Sequence, residues 1–152
     1  MMNGLDQYRQ YFAGLTAAYT EVDCTFVFGG SERALRVLAE GSQDILVWLV
    51  WPEAEKRADG NVRFTADLLF LIPAENEEAA EDAALLQALT IANDFDEQLR
   101  ADSENGLHMY APNTSFSPRH RVTGDNLVGY VLEADLTLGC GPCHDPAKFG
   151  QS

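Results

Sequence analysis

Residues 44–51 constrain this chain more than any other stretch. Ile45, Val47, Leu49 and Trp51 alternate with Leu46, Trp48 and Val50, so a strand here is apolar on both faces. Each face has to be covered, either by the protein's own core or by a partner. Pro52 closes the segment, and the polar residues that follow end in Asp59-Gly60-Asn61, a turn signal. Residues 63–72 then return as a second strand. Phe64, Ala66, Leu68, Phe70 and Ile72 share one of its faces; the other carries Arg63, Thr65 and Asp67, then Leu69 and Leu71. The two segments read as a long antiparallel hairpin.

The flanking sequence supplies helices and a second hairpin. Leu5, Tyr8, Phe12, Leu15 and Tyr19 recur every three or four residues, which predicts an amphipathic helix over 4–19. Residues 22–28 read as a strand ended by Gly29 and Gly30, and Ser31 offers an N-cap to a short helix over 32–40. The longest helix is predicted over 76–101, capped by Asn76, with Leu85, Ala88, Ala92, Phe95 and Leu99 as its apolar stripe. Leu107, Met109 and Tyr110 suggest a brief extended piece. In the last third, residues 114–122 read as an edge strand because of Pro118. Gly124, Asp125 and Asn126 make a turn, and 127–138 alternates as a strong strand. Residues 139–152, rich in Gly, Pro, Cys and Lys, read as an irregular tail. The expectation is one α+β domain over 1–152. It has a mainly antiparallel sheet of two hairpins, with an N-terminal helix and one long central helix packed on it.

Charge narrows the function. The 152 residues include 10 basic and 24 acidic ones, a net charge of −14. At 46% hydrophobic residues the chain is too apolar for a disordered one. Wrapping nucleic acid needs clustered Lys and Arg, and here the bases are scattered. The acids concentrate instead: Glu75, Glu77, Glu78, Glu81, Asp82, Asp94, Asp96, Glu97, Asp102 and Glu104 stand against Arg100 alone over 75–104. Such a run is either a solvated helix face or a surface that repels polyanions, letting DNA slide past without sticking. Glu75, Glu77, Glu78, Asp94 and Glu97 are the candidates for lining an acidic channel. The longest apolar run, 45–51, is far short of the ~20 residues of a membrane helix, so no membrane partner is expected. The N-terminus shows no secretory pattern, and three cysteines fit reduced thiols in a cytosolic setting.

The sharpest motif is Cys140-Gly141-Pro142-Cys143-His144. Its spacing matches haem c attachment, its C-G-P-C core looks like a thioredoxin-type redox pair, and Cys140, Cys143 and His144 supply three of the four ligands of a structural zinc site. Cys24 or Asp145 would complete that site. Against these stand the missing export signal, the position after the last strand, and the strain of adjacent Cys and His ligands at one metal. The plain alternative is a terminal segment that packs on the sheet, and no cofactor is expected. Asp94 with Glu97, or Glu78 with Asp82, are carboxylate pairs on one helix face, without a histidine partner nearby. Gly29-Gly30-Ser31 lacks the lysine of a phosphate-binding loop. Trp48 and Trp51, on opposite faces of one strand, are interface candidates together with Leu69 and Leu71.

The order of these elements resembles the tail terminator, or tail completion, proteins of tailed bacteriophages. An N-terminal amphipathic helix, a hydrophobic strand ending in Pro52, a second long strand, an acidic helix and a terminal hairpin follow one another. The segment Asp125-Asn126-Leu127-Val128-Gly129-Tyr130, running into an alternating strand with a Cys-containing tail behind it, is similar to the last hairpin of such proteins in phages of Bacteroidetes hosts. The resemblance covers roughly residues 5–143. It implies a structural virion protein without catalytic residues, assembled in the host cytoplasm into a ring, usually hexameric. That ring caps the tail tube protein and meets the head-tail connector or neck proteins, and DNA passes through it. A different connector or a tube subunit fits the same pattern, and a small cytosolic redox module built on the C-x-x-C-H segment is the contrasting class.

Overall fold

A computed structural model of the chain describes residues 4–30, 45–74, 78–112, 115–120 and 127–138. It shows an α+β fold, with two helices and a seven-stranded, mostly antiparallel sheet among those residues. Helix α1 is Gly4–Ala18 and helix α2 is Glu78–Glu104. The strands are β1 Cys24–Phe28, β2 Ile45–Leu49, β3 Glu53–Lys56, β4 Val62–Pro73, β5 Met109–Tyr110, β6 Ser117–Arg119 and β7 Leu127–Leu138. The sheet runs β1-β2-β4-β7-β5, with β3 also on β4 and β6 also on β7.

The first hairpin forms as its alternation requires, with Leu46 opposite Leu71 and Leu49 opposite Leu68. It is longer than the sequence suggests. Glu53, Ala54, Glu55 and Lys56, expected as loop, make strand β3 on the same edge of β4, with Glu53 opposite Thr65. Between the two registers residues 50–52 face only Asp67 and Ala66, which is a one-residue β-bulge carrying Pro52. The turn then falls at 57–61, where Gly60 takes a φ of 89° and its N–H donates to Arg57 O at 3.0 Å.

The second hairpin is present as β6 on β7, Pro118 lying in an exposed edge strand. Two features depart from two separate hairpins. Strand β4 pairs with β7 along its whole length, from Val62 opposite Leu138 to Pro73 opposite Leu127, so both hairpins fuse into one sheet. Strand β1 runs parallel to β2, Cys24 opposite Ile45. The short helix expected over 32–40 with its Ser31 cap, the Asn76 cap, the turn at Gly124, Asp125 and Asn126, and the tail 139–152 lie outside the described residues.

Both helices cover one face of the sheet. Tyr8 and Phe12 of α1 are fully buried; Tyr8 stacks on Phe64, with ring centroids 5.1 Å apart, and its hydroxyl donates to Ala134 O at 2.6 Å. From α2, Ala84, Ala88, Ile91, Ala92, Phe95 and Leu99 point inward, onto Leu68, Phe70 and Leu132 of the sheet's central strands. The alanines let the helix lie close to the strands. Helix α2 runs three residues past its expected end. It stops where Gly106, at φ 83°, donates to Ser103 O and Leu107 N donates to Asp102 O, the paired bonds of a Schellman cap.

The opposite face of the sheet holds a second buried cluster: Val27, Leu46, Trp48, Leu69, Leu71, Leu127 and Val131. No helix among the described residues contributes to it. Residues 45–49 and 68–72 of the first hairpin are thus buried on both faces of the sheet.

Candidate functional site

The four apolar interface candidates separate. Trp48, Leu69 and Leu71 belong to the second buried cluster, and the Trp48 indole Nε1–H donates to Gly29 O at 2.8 Å. All three were expected as contact residues, and all three are buried within one copy, which leaves them little exposed surface. Trp51 is different. It lies in the bulge after β2, is 59% exposed, and rests its ring against Phe28 of β1 at a centroid distance of 5.2 Å.

A second exposed apolar spot lies at the opposite flank of the sheet. Leu107 and Met109 are 65% and 60% exposed at the junction of α2 and β5. In a Schellman cap the residue in the place of Leu107 often packs on the third residue from the helix end. Here that residue is Asp102, which offers no apolar contact. Met109 sits in β5, the last strand on the sheet path, while Phe28 sits in β1, the first. Leu107 and Met109 carry no periodic signal that would mark them as a surface, since two alternating residues are too few to define a face.

The acidic candidates also divide. Glu75 and Glu77 lie outside the described residues. Glu78 and Glu97 are exposed on α2, and Glu97 accepts from Asn93 Nδ2 at 3.3 Å. Asp94 is half-buried and accepts a 2.6 Å hydrogen bond from the Tyr19 hydroxyl. It is one of three such pairs along the helix. The Tyr11 hydroxyl donates to Asp102 Oδ2 and the Tyr110 hydroxyl to Asp96 Oδ1, each at 2.6 Å. Burial is the largest influence on all three phenols and pushes their pKa up, and the bonded carboxylates add to it. These tyrosines are therefore neutral donors throughout the physiological range. Asp102 fastens α2 to α1, Asp94 fastens it to Tyr19 just past the end of α1, and Asp96 fastens it to β5. The acids left facing solvent on α2 are Glu78, Asp82, Glu97 and Glu104.

Ion pairing follows the same division. Buried Asp96 also accepts from Arg100 Nε at 2.8 Å, and buried Asp135 of β7 is held in a two-point pair by the Arg63 guanidinium. Each aspartate raises the pKa of its arginine, first through the hydrogen bond and then through its charge. Two adjoining hollows, of about 630 and 360 Å³, flank the Tyr19–Asp94 bond between the end of α1 and the middle of α2. Thr20, Glu21, Val22, Gln87 and Thr90 line the larger.

Cys140, Cys143 and His144, the candidate ligands for a metal or haem, lie outside the described residues, while Cys24 is half-buried on β1. Among the described residues no three His, Cys, Asp or Glu side chains converge as a metal site would need, and no helix is long and apolar enough to cross a membrane. The Asp94–Glu97 and Glu78–Asp82 pairs remain on the outer side of α2, with Asp94 engaged by Tyr19. Comparison of the chain with known protein families, with curated proteins and with solved structures finds no match.

Proposed function

We propose that this chain is a structural virion subunit that closes with copies of itself into a ring, capping a phage tail tube and meeting the head-tail connector. The observation that carries the reading is that three of the four large apolar side chains exposed among the described residues lie on opposite flanks of one sheet, Trp51 beside β1 and Leu107 with Met109 at β5; the fourth, Leu86, is on α2. A ring needs a heterologous contact, in which one flank of a copy meets the other flank of the next. Large exposed aromatic and Met side chains are the residue types that anchor such contacts. With Trp48, Leu69 and Leu71 buried, this reading puts the contact at the flanks.

The solvent-facing acids of α2 support a conduit for DNA. Glu78, Asp82, Glu97 and Glu104 lie on one helix of a chain with net charge −14. A lumen lined with carboxylates repels phosphates and leaves the polymer free to slide. The resemblance to tail terminator proteins points the same way.

Trp51→Glu separates assembly from folding. Trp51 is exposed, so its replacement is expected to change the stability of one copy by only about 0.5 kcal/mol, the usual range for surface positions. The same change removes an anchor and places a charge in the contact, so rings are expected to fall to single copies. Negative-stain microscopy of wild type and variant, each mixed with tail tubes, reads both effects. Wild-type rings on tube ends, absent for the variant, support the reading; wild-type protein that never caps a tube overturns it.

A further inference from the structure

His108 is the most poorly satisfied polar side chain among the described residues. It is 5% exposed, and neither Nδ1 nor Nε2 has a hydrogen-bond partner. A buried imidazole of this kind is tolerated only while neutral, because a buried unpaired charge is far more costly than a buried unpaired dipole. The backbone on both sides of it is pinned. Leu107 N donates to Asp102 O, and Tyr110 N donates to Ser103 Oγ, while Ala111 N donates to Asp135 O. The backbone that carries the imidazole is therefore held at the end of α2 and the start of β5. Its movable neighbour is Tyr11 of α1, whose half-buried ring meets the imidazole edge to face at 4.8 Å.

We propose that His108 is a proton-operated latch between α1 and the end of α2. On taking up a proton it competes with Tyr11 for the Asp102 carboxylate and loosens α1. The surrounding groups leave this route open. From α1 the facing titratable group is Tyr11, and from α2 it is Asp102, whose charge acts on the imidazole. The other carboxylates nearby are engaged: Asp96 by Tyr110 and Arg100, and Asp135 of β7 by Arg63. Asp102 accepts from the Tyr11 hydroxyl through Oδ2 and from Gln98 through Oδ1, so a protonated imidazole that engages this carboxylate draws on the same acceptor that holds α1.

Burial holds the His108 pKa below its ordinary value, partly offset by Asp102. The unfolded chain therefore takes up the proton first as pH falls. The stability contributed by neutral His108 is full above the ordinary histidine pKa. It is lost as pH drops through that value, until the folded-state pKa is passed.

The test pairs His108→Phe with the wild-type protein. A phenyl ring keeps the edge-to-face contact with Tyr11 and removes both orphan nitrogens. Urea midpoints taken from about pH 7.5 to about pH 5, the range that brackets an ordinary histidine, are expected to diverge, the variant gaining on wild type as pH falls. Amide exchange in α1 is expected to speed up over the same range in wild type only. Nitrogen-15 spectra of the wild-type imidazoles read the site without any substitution, and His108 is expected to titrate below the ordinary value. A constant gap between the two proteins, α1 exchange that does not speed up in wild type as pH falls, or His108 titrating at or above the ordinary value overturns the latch.

Discussion

Gly129→Ala is expected to cost this protein about 3 kcal/mol or more, the upper end of what overpacking a core does. A Cβ built on Gly129 would stand 1.7 Å from the Phe70 carbonyl oxygen and 2.7 Å from its carbon. Both are backbone atoms of the facing strand. A crowded side chain can turn aside, but β4 is tied to β7 from Val62 to Pro73 and cannot yield at one residue alone. Either the pairing opens locally, leaving buried N–H and C=O groups unpaired, or the two central strands shift together against both helices. Denaturant unfolding of purified variant and wild type measures the loss. A variant within about 0.5 kcal/mol of wild type, the ordinary surface range, would show that β4 does not approach Gly129 this closely.

Phe70→Ala is expected to cost about 3–5 kcal/mol, the range for emptying a large aromatic site in a core. Phe70 is fully buried in the second half of β4, between Val47 of β2 and Tyr130 of β7. Its ring meets Phe95 of α2 edge to face at a centroid distance of 4.9 Å. The site is enclosed by sheet on two sides and helix above, so it has little room to collapse. Since a domain of this size is stable by only about 5–15 kcal/mol, a substantial part of the variant should unfold at moderate temperature. A melting temperature equal to wild type would contradict the placement of Phe70 at the junction of sheet and α2.

The elements whose residues repeat with a clear period were legible in the sequence. Phe64, Ala66, Leu68, Phe70 and Ile72 do share the helix-covered face, and Tyr8 and Phe12 do point into it. Period alone assigns a face and says nothing about which strand lies next door. The β4–β7 pairing and the parallel β1–β2 pairing were therefore out of reach. Strand β3 was missed for a different reason. Glu53, Ala54, Glu55 and Lys56 are all exposed, so they carry no buried face, and their strand exists through backbone bonds to β4. Gly129 did leave a signal, because a glycine inside a strong alternation marks close approach of another backbone.

The candidate site was less legible than the fold. Trp48 and Trp51 have the same chemistry three residues apart; the bulge at 50–52 decides that one is buried and the other exposed. In the acidic helix, Asp94, Asp96 and Asp102 look in sequence like Glu97 and Glu104. They are set apart by tyrosines reaching them from α1 and β5, a long-range fact that charge counting does not contain.

Sedimentation velocity over a wide range of protein concentration tests the central claim most directly. Self-association through opposite flanks predicts one discrete closed species of several copies, its mass unchanged as concentration rises further. A single copy at every concentration would contradict the account, and so would an open series of ever larger species, which is what a head-to-tail contact gives when it fails to close.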